Sequence, residues 1–198
     1  MKYFTVLALF FLGVSMSAQQ TSAPPQIPFH VIVDFLKIPP GMIMAEAVGV
    51  AINSKGHIFI LNRGNHPLLE FLQDGSFVGS FGEGSPLFRV PHSIRFDSED
   101  NMWYVNAADN LVVKFDAKRR VQQALGRREE PWVYLTHGIE RAIPPPANFY
   151  QPTDVVVGPD GSTYITDGYG NSRVVKFTFV RGGPSERPGS GLQYRRGV

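Results

Sequence analysis

The 198-residue chain contains no cysteine, which excludes disulfides and thiolate metal sites. It carries little net charge: 19 Lys and Arg stand against 17 Asp and Glu, a formal +2 at pH 7. Nothing global therefore argues for nucleic acid as a partner. Long apolar runs are also missing. The most apolar stretch, YFTVLALFFLGV from Tyr3, is shorter than the ~20 residues that cross a bilayer as a helix, so no stable membrane span is expected.

That short run reads instead as a leader. Lys2 supplies a positive start and small residues follow in SMSAQQ, so residues 1–18 are expected to be a secretory signal cleaved near Ser17 or Ala18. An uncleaved N-terminal anchor is the alternative. Either way the remainder is expected to be exported, to a periplasm or the extracellular space. Hydrophobic residues make up 43% of the chain and aromatics 12%, enough for a core in one domain or a little more. At the other end, VRGGPSERPGSGLQYRRGV concentrates Gly, Pro and Arg, and residues 181–198 read as an irregular tail without strand period.

Between these ends the chain repeats. VAINSKGHIFILNRGNHPLLEF from Val50 aligns without a gap on IRFDSEDNMWYVNAADNLVVKF from Ile94, 44 residues later. VVVGPDGSTYITDGYGNSRVVKF from Val155 aligns on both with one extra residue before RVVKF. Each unit reads as an apolar strand, a turn, a second strand, a polar loop and a third strand. In the first unit QDG makes a further turn into a fourth strand, SFVGSFG. Four short antiparallel strands per ~40–45 residues predict propeller blades. The fold class expected is all-β, with residues 28–180 forming about half of a six-bladed propeller. A β-sandwich would not explain the constant spacing.

This topology sorts the loops. If the end where each first strand begins is the top, the SKG, SED and PDG turns fall at the bottom with ordinary turn residues. The polar loops after the second strands fall at the top, as does RVPHSI before the second unit. Arg63, His92 and Tyr169 are then expected on one face near the axis, although they lie far apart in sequence. The segment REEPWVYLTHGIERAIPPPANF is an insertion on the same face, where Trp132, Tyr134 and His137 would form a lid or wall or remain unconstrained loop.

GVAINSKGHIFILNRGNHP, VPHSIRFDSEDNMWYV, LGRR and QPTDVVVGPDGSTYITDGYGNSRVVKF resemble NHL-repeat β-propellers. More narrowly, they resemble bacterial relatives of peptidyl-α-hydroxyglycine α-amidating lyase. The resemblance implies a six-bladed propeller with a zinc ion in the channel, held by three histidines, and a structural calcium. It implies that His92 is a zinc ligand, that the main-chain carbonyls of Val50 and Ile94 bind calcium, and that Arg63 and Tyr169 are catalytic. The implied substrate is a small peptide ending in α-hydroxyglycine, and the implied products are a peptide amide and glyoxylate. A zinc ion lowers the pKa of a bound hydroxyl, and an arginine fork suits a carboxylate. A tyrosine, with an ordinary pKa of ~10, needs a nearby cation to act as a base near neutrality.

The chain departs from that family after Phe177. The second and third zinc histidines belong to blades beyond the three read here, so this chain by itself is expected to be incomplete or inactive. The alternative function is a non-catalytic propeller presenting its top face to a peptide, sugar or protein partner. Three blades would expose two apolar faces, which predicts a homodimer or poor solubility. Loss of the third unit's outer strand would leave RVVKF as an unpaired edge. Among other polar residues, His66 reads as holding its loop and His57 as solvated. Asp154 and Asp167 read as ties between neighbouring blades.

Overall fold

A computed structural model of the chain describes residues 26–128, 148–179 and 192–194. The expected leader, the insertion residues Trp132, Tyr134 and His137, and most of the tail lie outside the described residues. The chain divides into residues 1–33, of which 26–33 are all exposed, and residues 34–198, which hold every described strand.

Three four-stranded antiparallel sheets follow one another. The first contains β1 (Ala47–Ile52), β2 (Ile58–Asn62), β3 (Leu68–Phe71) and β4 (Phe77–Phe81). The second contains β5 (Pro91–Phe96), β6 (Met102–Asn106), β7 (Leu111–Phe115) and β8 (Val121–Gly126). The third contains β9 (Asp154–Val157), β10 (Thr163–Asp167), β11 (Arg173–Phe179) and β12 (Leu192–Tyr194). These are three blades of a β-propeller, as the repeat predicts.

Strand residues here are mostly β-branched or aromatic, which suits a pleated surface buried on both faces. Turn chemistry then cuts the strands. The Asn53 side chain accepts from the N–H groups of Lys55 and His57, and its repeat equivalent Asp97 accepts from Glu99 and Asn101. Such Asx turns offer the backbone a bend in place of the ladder.

Alternation sends successive side chains to opposite faces, so each sheet packs on two neighbours. Phe59, Leu61 and Leu68 of blade 1 meet Ile94, Tyr104, Val113 and Phe115 of blade 2. Trp103, Val105 and Val112 of blade 2 meet Val155, Ile165, Val175 and Phe177 of blade 3. Between blades 1 and 2 a short 3-10 turn, Pro86–Phe88, which the repeat does not foretell, drops Phe88 onto Tyr104 with ring centres 4.4 Å apart.

Tyr104 is fully buried, and its hydroxyl is the one buried side-chain polar atom without a hydrogen-bond partner among the described residues. Burial pushes its pKa above the ordinary tyrosine range, with the Asp109 charge acting in the same direction. An unpaired buried hydroxyl costs roughly 1–3 kcal/mol. Tyr104→Phe is expected to leave stability unchanged or raise it by about 1 kcal/mol, and urea unfolding that showed a loss would reveal a hidden partner.

Three expectations need correction. The outer face of blade 1 is not bare, because residues 36–44 cover it: Leu36, Ile38, Met42 and Met44 pack on Ile60, Leu69 and Phe71. This strap is tied down where the Lys37 N–H donates to the Gly75 carbonyl at 2.8 Å. Gly75 has φ +79°, and a Cβ there would lie 2.0 Å from the Phe35 carbonyl oxygen, so only glycine lets the strap pass. Blade 3 does have an outer strand, since Leu192–Tyr194 pairs with Phe177–Phe179. Among the described residues that pairing covers Phe177, Thr178 and Phe179 of β11. His57 is not solvated: its Nδ1 lies 2.6 Å from Glu70 Oε1, and Glu70 also binds Arg119.

Candidate functional site

The top loops are built on one repeated device. The last residue of each second strand is polar and fully buried: Asn62, Asn106 and Asp167. Asn62 Nδ2 donates to the His66 carbonyl and its Oδ1 accepts from the Gly64 N–H, which folds the RGNH loop back on itself. Asn106 donates to the Leu87 carbonyl and to Asp109, and Asp109 in turn takes Arg89 and Arg128. Asp167 accepts from the Tyr150 N–H, from Asn171 Nδ2 and from Arg173 Nε, at 2.7, 2.7 and 2.9 Å. The polarity of these loops is therefore partly structural. His66 belongs to the same framework, with Nδ1 3.0 Å from Glu83.

Asp167 fixes the loop that carries Tyr169. The next residue, Gly170, lies under the Tyr150 ring: a Cβ there would stand 1.1 Å from a ring carbon. Held from both sides, the loop presents Tyr169 at 64% exposure. Opposite it is His92, at a register shift between Pro91 and Ser93 where β5 bulges. Bulges re-aim side chains, and this one turns His92 toward blade 3. His92 Nδ1 donates to the Thr153 carbonyl at 2.8 Å, which leaves Nε2 as the free ring nitrogen, 3.4 Å from the Tyr169 hydroxyl. The two rings meet edge to face, with centres 5.8 Å apart.

Arg63 follows Asn62 at the top of β2, the end where β1 begins, and so shares the face with His92. Its backbone N–H donates to the Glu46 carbonyl at 3.1 Å. Its exposed guanidinium has no hydrogen-bond or ion-pair partner among the described residues. The structure thus brings His92 and Tyr169 into contact and puts Arg63 at the same end of its blade.

The implied metals fare differently. His92 suits one zinc ligand, because metal-binding histidines typically donate their other nitrogen to a carbonyl or carboxylate. Among the described residues there is no cluster of three His, Asp or Glu that could complete such a site. Of the two carbonyls implied for calcium, one is already engaged. Val50 and Ile94 hold equivalent places, opposite Ile60 and Tyr104. The Ile94 carbonyl, however, accepts from Arg95 Nη1 at 2.9 Å. A cationic side chain already stands there.

Comparison with known proteins decides what these blades are. Residues 149–177 match the NHL repeat family. The chain carries an NHL repeat. It is 31% identical over 188 residues to peptidylglycine alpha-amidating monooxygenase of Rattus norvegicus, covering 76% of this chain and 18% of the relative. It is 26% identical over 162 residues to a probable peptidyl-alpha-hydroxyglycine alpha-amidating lyase of Caenorhabditis elegans, covering 70% of this chain and 43% of the relative. This NHL-repeat chain therefore spans less than half the length of these curated relatives. A solved streptogramin B lyase superposes with a TM-score of 0.50 at 14% identity, over 70% of this chain and 39% of that one, which supports the propeller fold alone.

Two parts of the site escape a reading of the sequence. The Thr153 carbonyl orients His92, yet a carbonyl leaves no mark in a residue name. The buried Asn62 and Asn106 are polar residues at one repeat position, a signal that could have shown the loops to be anchored; Asp167, expected to tie neighbouring blades, instead holds its own blade's loop through Tyr150, Asn171 and Arg173.

Proposed function

We propose that the chain carries part of the site of an exported zinc-dependent lyase that cleaves peptidyl-α-hydroxyglycine to a peptide amide and glyoxylate. The observation that supports this is the contact between His92, its tautomer set by Thr153, and the exposed Tyr169. The names of the relatives point the same way. In this reading Tyr169 accepts the proton of the substrate hydroxyl as the carbonyl of glyoxylate forms. The C–N bond breaks, and the amide nitrogen gains a proton. Arg63 holds the substrate carboxylate with its unpaired fork. His92 contributes Nε2 as one zinc ligand, and a bound zinc would lower the pKa of the substrate hydroxyl.

A catalytic zinc normally keeps three protein ligands. The chain alone is therefore expected to bind zinc weakly, to lose that binding in His92→Ala, and to release little or no glyoxylate from a hydroxyglycine-extended peptide. Tight stoichiometric zinc binding that survives His92→Ala in calorimetry would overturn the role given to His92. A second reading rests on the partnerless Arg63 guanidinium: a non-catalytic module whose top face takes a peptide, sugar or protein. Peptide binding that needs Arg63 but is indifferent to zinc and His92 would favour it.

The proposed homodimer would use the outer side of blade 3. The outer side of blade 3 leaves Val156 and Val174 at 54% and 61% exposure, with Lys176 lying 5.1 Å over the Tyr164 ring. Blade 2 packs on blade 3 with the same pattern, Lys114 lying 5.3 Å over Trp103. A surface of this kind is thus already an interface once in the chain. Light scattering is expected to show a dimer that Val174→Lys dissociates; a monomer at micromolar concentration would refute it.

A further inference from the structure

A charged cluster distinct from the His92–Tyr169 pair joins the innermost strands of blades 2 and 3. Arg95 Nη1 donates to the Ile94 carbonyl at 2.9 Å and Nη2 to Asp154 Oδ2 at 2.7 Å. The other carboxylate oxygen of Asp154 accepts from the Ser93 hydroxyl and from the Val155 N–H. Asp154 therefore ties β9 to β5 through two side chains of the neighbouring blade. Both charged side chains are partly exposed, at 40% and 42%, so the cluster is open to ions from solvent.

A main-chain carbonyl and a carboxylate converging on one position form the oxygen set that a hard divalent cation such as calcium prefers. Here the position is filled from within. We infer that the Arg95 guanidinium stands in for a divalent cation between Ile94 and Asp154, so that the chain takes no calcium at these oxygens. The chemistry of the side chain suits the task. A guanidinium is charged at every working pH, is planar, and spans two acceptors with fixed donors. Its charge repels a second cation brought to the same oxygens. Lysine, a point charge on a flexible stem, would neutralise Asp154 without the fixed bridge to the carbonyl.

Thermal unfolding of the full chain in calcium or in chelator tests this without any reading of lyase activity, so its failure is separable from failure of the proposed function. The wild-type melting temperature is expected to be the same in both. Arg95→Ser frees the carbonyl and the carboxylate. Its melting temperature should fall in chelator and rise by roughly 5–10 °C at calcium a hundredfold above Kd. Arg95→Lys should remain indifferent to calcium. If Arg95→Ser does not fold in chelator, refolding by added calcium is the expected result. Wild-type stabilisation by calcium that Asp154→Asn abolishes would overturn the inference, as would an Arg95→Ser chain that no calcium concentration stabilises.

Discussion

Asp167→Ala is expected to cost about 3–5 kcal/mol and to release the loop that carries Tyr169. The magnitude follows from what the carboxylate holds. It is fully buried and takes a backbone N–H from Tyr150, an amide from Asn171 and the charged Arg173. Arg173 and Asn171 also share the Asn148 carbonyl, so the loss spreads to the segment leading into blade 3. Alanine removes the Asp167 charge from beside a mostly buried guanidinium and takes an acceptor from the Tyr150 N–H. Asp167→Asn keeps an acceptor and removes the charge, so its cost should be smaller, roughly 1–3 kcal/mol. Urea unfolding measures both. An Asp167→Ala chain within 0.5 kcal/mol of wild type, taken as roughly the surface-substitution range, would show that the loop stands without this anchor.

Phe115→Ala is expected to remove a further ~3–5 kcal/mol, by loss of burial and by the cavity left behind. Phe115 is 2% exposed and sits where blades 1 and 2 meet, its ring 5.8 Å from Phe81 and 6.2 Å from Phe88. Those two rings come from the outer strand of blade 1 and from the 3-10 turn, so the hole opens between elements that cannot close it independently. Phe115→Leu keeps most of the volume and should cost under about 1.5 kcal/mol. With domain stabilities of roughly 5–15 kcal/mol, the alanine variant should unfold at visibly lower urea. Equal losses for the two variants would mean that ring shape, rather than volume, holds the blades apart.

How far the sequence reached depended on whether a feature was periodic. Eleven strands sit where the 44-residue repeat and the turn residues put them, because alternation and Asx turns are local and recur. That His92 and Tyr169 lie at the same end of their blades followed from topology, since antiparallel blades return their second strands to the end where the first begin; their direct contact did not. Features that occur once did not show. The strap over blade 1 has no repeat equivalent, and its match to Ile60, Leu69 and Phe71 exists only in three dimensions. Strand β12 lies in a Gly- and Pro-rich stretch whose composition argues against a strand, and pairing with β11 overrides that preference. Arg95 replaces a valine of the third unit, Val156, at the same repeat position. Whether an arginine there meets a carbonyl or solvent is decided by Asp154, across the boundary between blades.

The strap gives the stack a direction. Blade 1 is sealed on its outer side by residues that leave the ribosome before it, whereas on blade 3 Val156 and Val174 stay exposed among the described residues. A chain built this way can fold vectorially during synthesis: each finished sheet becomes the template on which the following one condenses, and the earliest hydrophobic surface is never left waiting for the last. Deleting residues 36–44 would remove that polarity, and the growing stack would then start from a sticky surface.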